Sequence, residues 1–533
     1  MNLRPASTGI SHAMAPSWLP DRRWLQRALI VAVALAAYAP ALHGYFLSDD
    51  FSISLLLDTE KRSIDWSNTL ADFYTVFRGD PTHSYYRPMI TLSVAIDYTL
   101  WGLNPAGFHL TNLALHIANA LLLYGIANAL LPSPDGRTAL TTALLFVLYP
   151  LNPEAIYWIA ARSDTLMACF ALLSLLLSLH AVASRRARFS ALSLLAFLLA
   201  LATKETAVVL PVAIVLVHAI HATSPLAPGR FDARQEGRRL IPYLLVLGGY
   251  FFLRRAITGY FVGRYGASGL DLLQFTAIPL GLVKFLAYQI HPAGGPLTAP
   301  GGSALFWPWQ ARTIGVVAGM AAAMIVLLCV LGRPDRRSWL SLVLTLLFAA
   351  PVLTIFSTVS TPYQWARLRY LPSAPFCFLL ASLPHRAAPG LRRGLKGTIL
   401  VTFAALLAVN SLPWILAGRI SRTIVQEIER AANRPGIQQI FVAGDPQGYL
   451  TAELFGRESW ALRLAAAPPF ASIPPGVAVI DLASEDGRQL LQAARQGTSP
   501  FVILRYDPVS RSLNEVGPND PVLRRPPDRP APL

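Results

Sequence analysis

The chain has 533 residues, 54% of them hydrophobic and only 14% charged, with a mean hydropathy of +0.45. Soluble domains carry roughly 25% charged residues, so the composition argues against a single soluble globule and against a disordered or fibrous chain. Three cysteines exclude a disulfide scaffold, and the net charge of +16 reads first as cytoplasmic anchoring of a polytopic membrane protein, because basic loops stay inside.

A helix needs about 20 residues to cross a bilayer, with a range of roughly 17–25. Residues 1–27 are expected in the cytoplasm, since Arg22, Arg23 and Arg27 precede the first apolar run, near 28–46. That run is longer than a signal-peptide core and lacks a clear small-residue cleavage site, so it is expected to remain as a span. Further candidate spans follow near 109–131, 138–151, 164–183, 189–203, 206–221, 240–256, 311–332, 339–357, 368–384 and 398–417. The basic segments 184–188, 230–239, 333–337 and 385–396 are then cytoplasmic. The run 272–291 would break this alternation if it crossed. It carries Pro279, Lys284 and Gln289, and reads as re-entrant or interfacial. The expected fold is mainly α, with about eleven spans over 28–417 and large outer loops at 47–108 and 257–310.

After residue 418 the chain becomes richer in Pro, Gln and charge. Gln439–Gly444, Val477–Asp481 and Phe501–Leu504 read as buried strands, separated by helical stretches near 421–433 and 485–496. This predicts a small extracytoplasmic α/β domain over 418–516, followed by a Pro/Arg-rich tail at 517–533. Cys169, Cys329 and Cys377 all fall within predicted spans and act as small apolar residues. No zinc-ligand spacing, Walker loop or dinucleotide glycine fingerprint is present. The alternation of the basic loops accounts for the charge, and no nucleic-acid partner is expected.

Polar groups beside or within spans carry the functional information, because the bilayer penalises them. The first span ends in Ser48-Asp49-Asp50, two adjacent carboxylates that repel each other. Such a pair suits a bound cation, a basic partner or a base with a tuned pKa, and any metal would fall to Asp49 and Asp50. Arg87 follows in Tyr85-Tyr86-Arg87-Pro88. His109, Asn112, His116 and Asn119 fall three or four residues apart. On a helix they share a stripe roughly 80° wide, which must face the bundle interior or a polar cavity. Glu154 stands at the outer end of the third span, which continues to Arg162, Lys204-Glu205 forms a short outer turn, and Arg367, Arg369 and Tyr370 open the tenth span from outside. Each has a plain reading as an interfacial anchor, an ion pair or an interhelical hydrogen bond. Together they gather carboxylates and cations on one membrane face. That suits a lipid-phosphate substrate, which arginine grips with paired hydrogen bonds.

In order along the chain, these residues resemble the C-type (GT-C) superfamily of membrane glycosyltransferases, and most of all bacterial relatives of the transmembrane, tetratricopeptide-repeat O-mannosyltransferases. The acidic pair is Asp49-Asp50, and the Tyr-Arg-Pro element is Tyr86-Arg87-Pro88. Phe108-His109, Asn112 and His116 match a Phe-His-x-x-Asn-x-x-x-His element. Pro150, Glu154-Ala155 and Ala161-Arg162-Ser163-Asp164 match the next, followed by Lys204-Glu205 and by Arg367, Tyr370, Leu371, Pro372 and Ser373. The chain departs from the pattern at Tyr149 and Asn152, where the family has histidines, at Ala366, where it has Glu, and in lacking the repeats. These departures leave the donor sugar and the acceptor open.

The resemblance implies an inverting enzyme of a bacterial inner membrane with a periplasmic active site. It implies a polyprenyl-phosphate sugar as donor and a glycan, lipid or protein hydroxyl as acceptor. Asp49 and Asp50 would be catalytic, with Asp49 favoured as base. Arg87, His109, Glu154, Arg162, Lys204, Arg367 and Tyr370 would bind substrate. No cofactor is required by this reading, although a divalent cation is compatible with it. A transporter or flippase of lipid-linked sugars, or a non-catalytic envelope assembly protein, are the alternatives.

Overall fold

The computed structural model describes residues 22–58, 63–79, 85–131, 136–223, 231–261, 277–287, 336–358, 365–382, 388–444, 448–449, 452–456, 460–482, 484–497 and 499–520. The expected span at 311–332, Cys329, most of the loop 257–310 and nearly all of the tail 517–533 lie outside them.

The chain is mostly helical. Helices α1 (Arg22–Tyr38), α2 (Trp66–Ala71), α3 (Pro88–Trp101), α4 (Pro105–Leu130), α5 (Arg137–Val147), α6 (Pro153–Tyr157) and α7 (Arg162–Ser184) build the first half. Helices α8 (Ala187–Thr203), α9 (Leu210–His221), α10 (Ala233–Thr258), α11 (Ala277–Ala287), α12 (Arg336–Ala349), α13 (Leu353–Thr358) and α14 (Tyr370–Ser382) continue it. Among the described residues, six helical stretches are long and apolar enough to cross a membrane: Arg23–His43, Pro105–Leu130, Ile159–Ser184, Ala233–Thr258, Arg336–Ser357 and Pro389–Ala432. Arg137–Val147, Ala187–Thr203 and Glu205–His221 are apolar but shorter. The protein is a multi-pass membrane protein, and each span expected within the described residues is helical over most of its length. Helix α11 has 11 residues, about 16 Å of helix, too short to cross a hydrocarbon core of about 30 Å.

Local chemistry sets the helix ends. Asn104 caps α4 by accepting from the Ala106 N–H at 3.1 Å, with Pro105 in the first helical position. Asp232 caps α10 through the Arg234 and Gln235 N–H groups, and Gly259, at φ 80°, closes its far end. The polar stripe of α4 points inward as its spacing predicts: His109, Asn112, His116 and Asn119 are all fully buried.

Helix α15 (Pro389–Ala432) has 44 residues, or about 66 Å. It is longer than a bilayer and runs past residue 418 without a break, so a membrane helix and the first helix of the tail are one element. Gly418 lets it approach the first span closely, since a Cβ there would lie 3.0 Å from the Tyr45 nitrogen. Beyond it, strands β1 (Leu57–Asp58) and β2 (Ser63–Ile64) of the first outer loop aside, the strands are β3 (Gln439–Ala443), β4 (Gly448–Tyr449), β5 (Ala452–Glu453), β6 (Ala478–Asp481), β7 (Phe501–Asp507) and β8 (Ser512–Val516).

A four-stranded sheet has the order β6-β3-β7-β8, with β6, β3 and β7 parallel and β8 antiparallel to β7. Helices α16 (Trp460–Ala465) and α17 (Glu485–Gln496) complete the domain. Phe441 and Ile503 pack on Leu491 and Ala494 of α17. Ile440, Val442 and Leu504 instead join one apolar cluster that includes Ile424 and Ile428 of α15, Phe455, Phe46 at the end of the first span and Phe51 just after it.

Candidate active site

Asp49 and Asp50 open a 3-10 helix over Ser48–Leu56, directly after the first span. The two carboxylates have different surroundings. Asp50 is buried, and its oxygens accept from the Leu47 N–H at 2.9 Å and the Ala160 N–H at 2.7 Å. Burial pushes its carboxyl well above the usual carboxylate range; those backbone donors oppose the rise and the Asp49 charge adds to it. Asp49 is exposed. Its carbonyl accepts from the Ser52 hydroxyl at 2.5 Å. Arg78 donates to that hydroxyl and, at 3.2 Å, to the Ser52 carbonyl, which brings a guanidinium into the electrostatic reach of Asp49.

A second cation reaches the same end of the bundle. Arg367 pairs with Glu154 through its guanidinium, donates its backbone N–H to the same carboxylate at 3.2 Å, and approaches Asp164 at 3.9 Å. The rings of Trp158 and Trp365 lie against it, 4.4 and 4.6 Å from the guanidinium carbon. Trp158 also donates its indole N–H to the Leu47 carbonyl at 3.3 Å, tying the Arg367 platform to the acidic loop. Lys204 is buried and bonds Asp164 at 2.6 Å. Arg87 grips Glu205 with two nitrogens, at 2.5 and 3.0 Å, and lies over the Tyr85 ring. Burial alone would raise the Glu205 carboxyl, but Arg87 outweighs it, with Arg254 and Lys204 contributing, and brings it down to about 2.

Three of the residues expected to bind substrate lie inside the protein. Arg162 is fully buried, and all its nitrogens are engaged: with Asp97 at 2.5 Å, Asn112 at 2.9 Å, the Phe108 carbonyl at 3.0 Å and Ser93 at 3.3 Å. It braces α3, α4 and α7. Tyr370 is buried, with its hydroxyl 2.7 Å from His116 Nδ1 and 3.1 Å from Asn119 Nδ2, and it locks α14 to α4. His109 is fully buried against Gly44, where a Cβ would lie 2.5 Å from Nε2.

Two residues without a motif join the site. Arg78 sits in the outer loop at φ 53°. Glu453 comes from β5, some 400 residues along the chain, and its Oε2 accepts from the Ser48 hydroxyl at 3.2 Å. Neither carries a local sequence signal, because each is defined only by what folds against it. Two small clefts open beside the group. One is lined by Pro150, Glu154, Ala366 and Trp414; the other by Asp164, Thr206, Phe348 and Pro372. Among the described residues no group of three or more His, Cys, Asp or Glu is placed to hold a metal ion.

No family model matches the chain. Curated relatives do. Protein O-mannosyl-transferase TMTC2 of Mus musculus is 34% identical over 150 residues, 27% of this chain and 17% of that protein. Protein O-mannosyl-transferase F38B6.6 of Caenorhabditis elegans is 23% identical over 379 residues, 66% of this chain and 50% of that protein. The matches thus span half or less of these relatives. Among solved structures, ArnT from Cupriavidus metallidurans bound to undecaprenyl phosphate aligns at 14% identity over 91% of this chain and 94% of its own, with a TM-score of 0.48. The arabinofuranosyltransferase AftD from Mycobacteria aligns at 16% identity over 93% of this chain and 36% of its own, with a TM-score of 0.42. The likeness read from the motifs holds at the level of sequence: the relatives are O-mannosyl-transferases.

Proposed function

We propose that this relative of the protein O-mannosyl-transferases is an inverting glycosyltransferase, moving a sugar from a polyprenyl-phosphate donor to an acceptor hydroxyl at the periplasmic face of a bacterial inner membrane. The observation that carries the reading is the division of the acidic pair: an exposed Asp49 beside a buried, backbone-held Asp50, with Arg78 and Arg367 close by. The names of the curated relatives support it.

In the reaction the acceptor oxygen attacks the anomeric carbon while Asp49 takes the hydroxyl proton. The bond from that carbon to the phosphate oxygen breaks, and the lipid phosphate leaves with the electron pair. A positioned base contributes typically about 10²–10⁴-fold. Asp50 is not the base in this reading, since both its oxygens serve backbone donors; it holds the loop. Arg367 and Arg78 stabilise the charge growing on the phosphate, with Lys204 and Arg87 behind them in ion pairs that the donor can rearrange. Glu154 sets the Arg367 guanidinium. Arg162, His109 and Tyr370 support the site from within. A divalent cation has no cluster of ligands to hold it among the described residues, so no step is routed through one. Residues 28–417 form the catalytic membrane domain and 418–516 an appended periplasmic domain sharing the helix α15.

The test is reconstitution of the full chain in vesicles with radiolabelled undecaprenyl-phosphate mannose and an envelope extract from cells lacking the protein. Label on an acceptor supports the reading. Intact lipid-sugar moved to the other leaflet, with no acceptor labelled, overturns it in favour of a flippase.

A further inference from the structure

Ser48, the residue before Asp49, has φ +45°, the left-handed region that a non-glycine residue rarely adopts. Such a conformation persists only where the surroundings over-determine it. Here the surroundings come from the far end of the chain. The Ser48 N–H donates to the Leu454 carbonyl at 2.7 Å, and the Ser48 hydroxyl donates to the Glu453 carboxylate at 3.2 Å. The same segment is pressed onto the acidic loop by aromatic packing. Phe51 stacks on Phe455 with centroids 5.7 Å apart, and Phe470 meets Phe51 and Phe46 edge-on at 4.9 and 5.0 Å. Ser421 adds a hydrogen bond to the Phe46 carbonyl at 2.8 Å.

We propose that Glu453 is a positioning residue for Asp49: the C-terminal domain clamps the turn that aims Asp49 and sets a second carboxylate beside it. The proposal rests on the reading of Asp49 as the base. Among the described residues, charged groups facing Asp49 include Asp50 on its own helix, Arg78 from the outer loop and Glu453 from β5; Glu453 in turn faces Arg367 and Glu154. Glu453 is pushed above its ordinary value, by desolvation first, with the charges of Asp49 and Glu154 adding to the rise and Arg367 and the Ser48 hydrogen bond opposing it. The C-terminal domain is thereby a wall of the site and not a separable attachment.

The first measurement is hydrogen exchange on the purified full-length chain, read by peptide mass spectrometry: the Ser48 amide is protected, and an unprotected amide overturns the proposal. In the transfer assay Glu453→Ala lowers kcat about tenfold to a hundredfold with KM little changed, while Glu453→Gln, which still accepts from the Ser48 hydroxyl, keeps most of the rate. An unaltered kcat in Glu453→Ala overturns the proposal. A wild-type chain that transfers nothing counts against the glycosyltransferase reading, while the exchange still decides this one.

Discussion

Asp50 accepts from two backbone N–H groups that belong to different elements, that of Leu47, three residues before it, and that of Ala160 in the loop preceding α7. It therefore holds the turn against the bundle and leaves Asp49 facing solvent. Adjacency made the pair conspicuous in the sequence, but nothing local separates the two, because the difference lies in which of them meets Ala160. The same holds for the arginines. Arg87, Arg162 and Arg367 look alike beside predicted spans, yet Arg162 is fully buried with Asp97 while Arg367 lies between two tryptophan rings and two carboxylates.

The Arg87–Glu205 pair gives a pH prediction. The Glu205 carboxyl is depressed from an ordinary 4.5 to about 2. A depressed carboxylate stabilises the fold above its ordinary value, and that contribution fades as pH falls toward the lowered one. The gap in thermal stability between wild type and Glu205→Gln in detergent is thus widest near neutral pH and closes between 4.5 and about 2. A gap that does not change with pH contradicts the assignment.

At the scale of elements, the helices were legible because a bilayer leaves little choice: a run of apolar residues of the right length, bounded by basic loops, must be a helix. The inward stripe of α4 followed from its three- and four-residue spacing, and β3, β6, β7 and α17 followed from short apolar runs and an amphipathic one. Strand β8 carried no such signal. Ser512–Val516 has only Leu513 and Val516 as apolar residues, and its place is set by pairing with β7. The unbroken α15 was equally hidden, since charge rises after residue 418 although the helix does not stop.

Arg162 is the joint on which α3, α4 and α7 meet. Removing one partner of a buried ion pair costs about 3–5 kcal/mol. Arg162→Ala is therefore expected to lower the yield of folded protein and its melting temperature in detergent, whereas Arg367→Ala, with a partly exposed side chain, mainly lowers transfer. Calorimetry or size-exclusion yield after heating checks this; equal stability of Arg162→Ala and wild type contradicts a bracing role.

At the scale of the molecule, low charged fraction and basic loops identified a polytopic membrane protein, and the basic segments 184–188 and 230–239 lie at the ends of helices α7, α8 and α10. What the chain alone did not disclose is that the turn after its first span meets a segment some 400 positions later. The first outer turn and the C-terminal sheet share one apolar cluster, and the docking joins residues some 400 positions apart, beyond the reach of any periodicity. On the proposed reading the site is assembled from the end of the first span, the loops beside it and the C-terminal sheet region together, with Asp49 at its open side.

The most direct test of that account is single-turnover sugar transfer by the full-length chain in vesicles, comparing wild type with Asp49→Asn at equal insertion and equal donor binding. The account predicts that wild type transfers sugar from a polyprenyl-phosphate donor and that the variant slows by about 10²–10⁴-fold. An Asp49→Asn protein that transfers at the wild-type rate would contradict it.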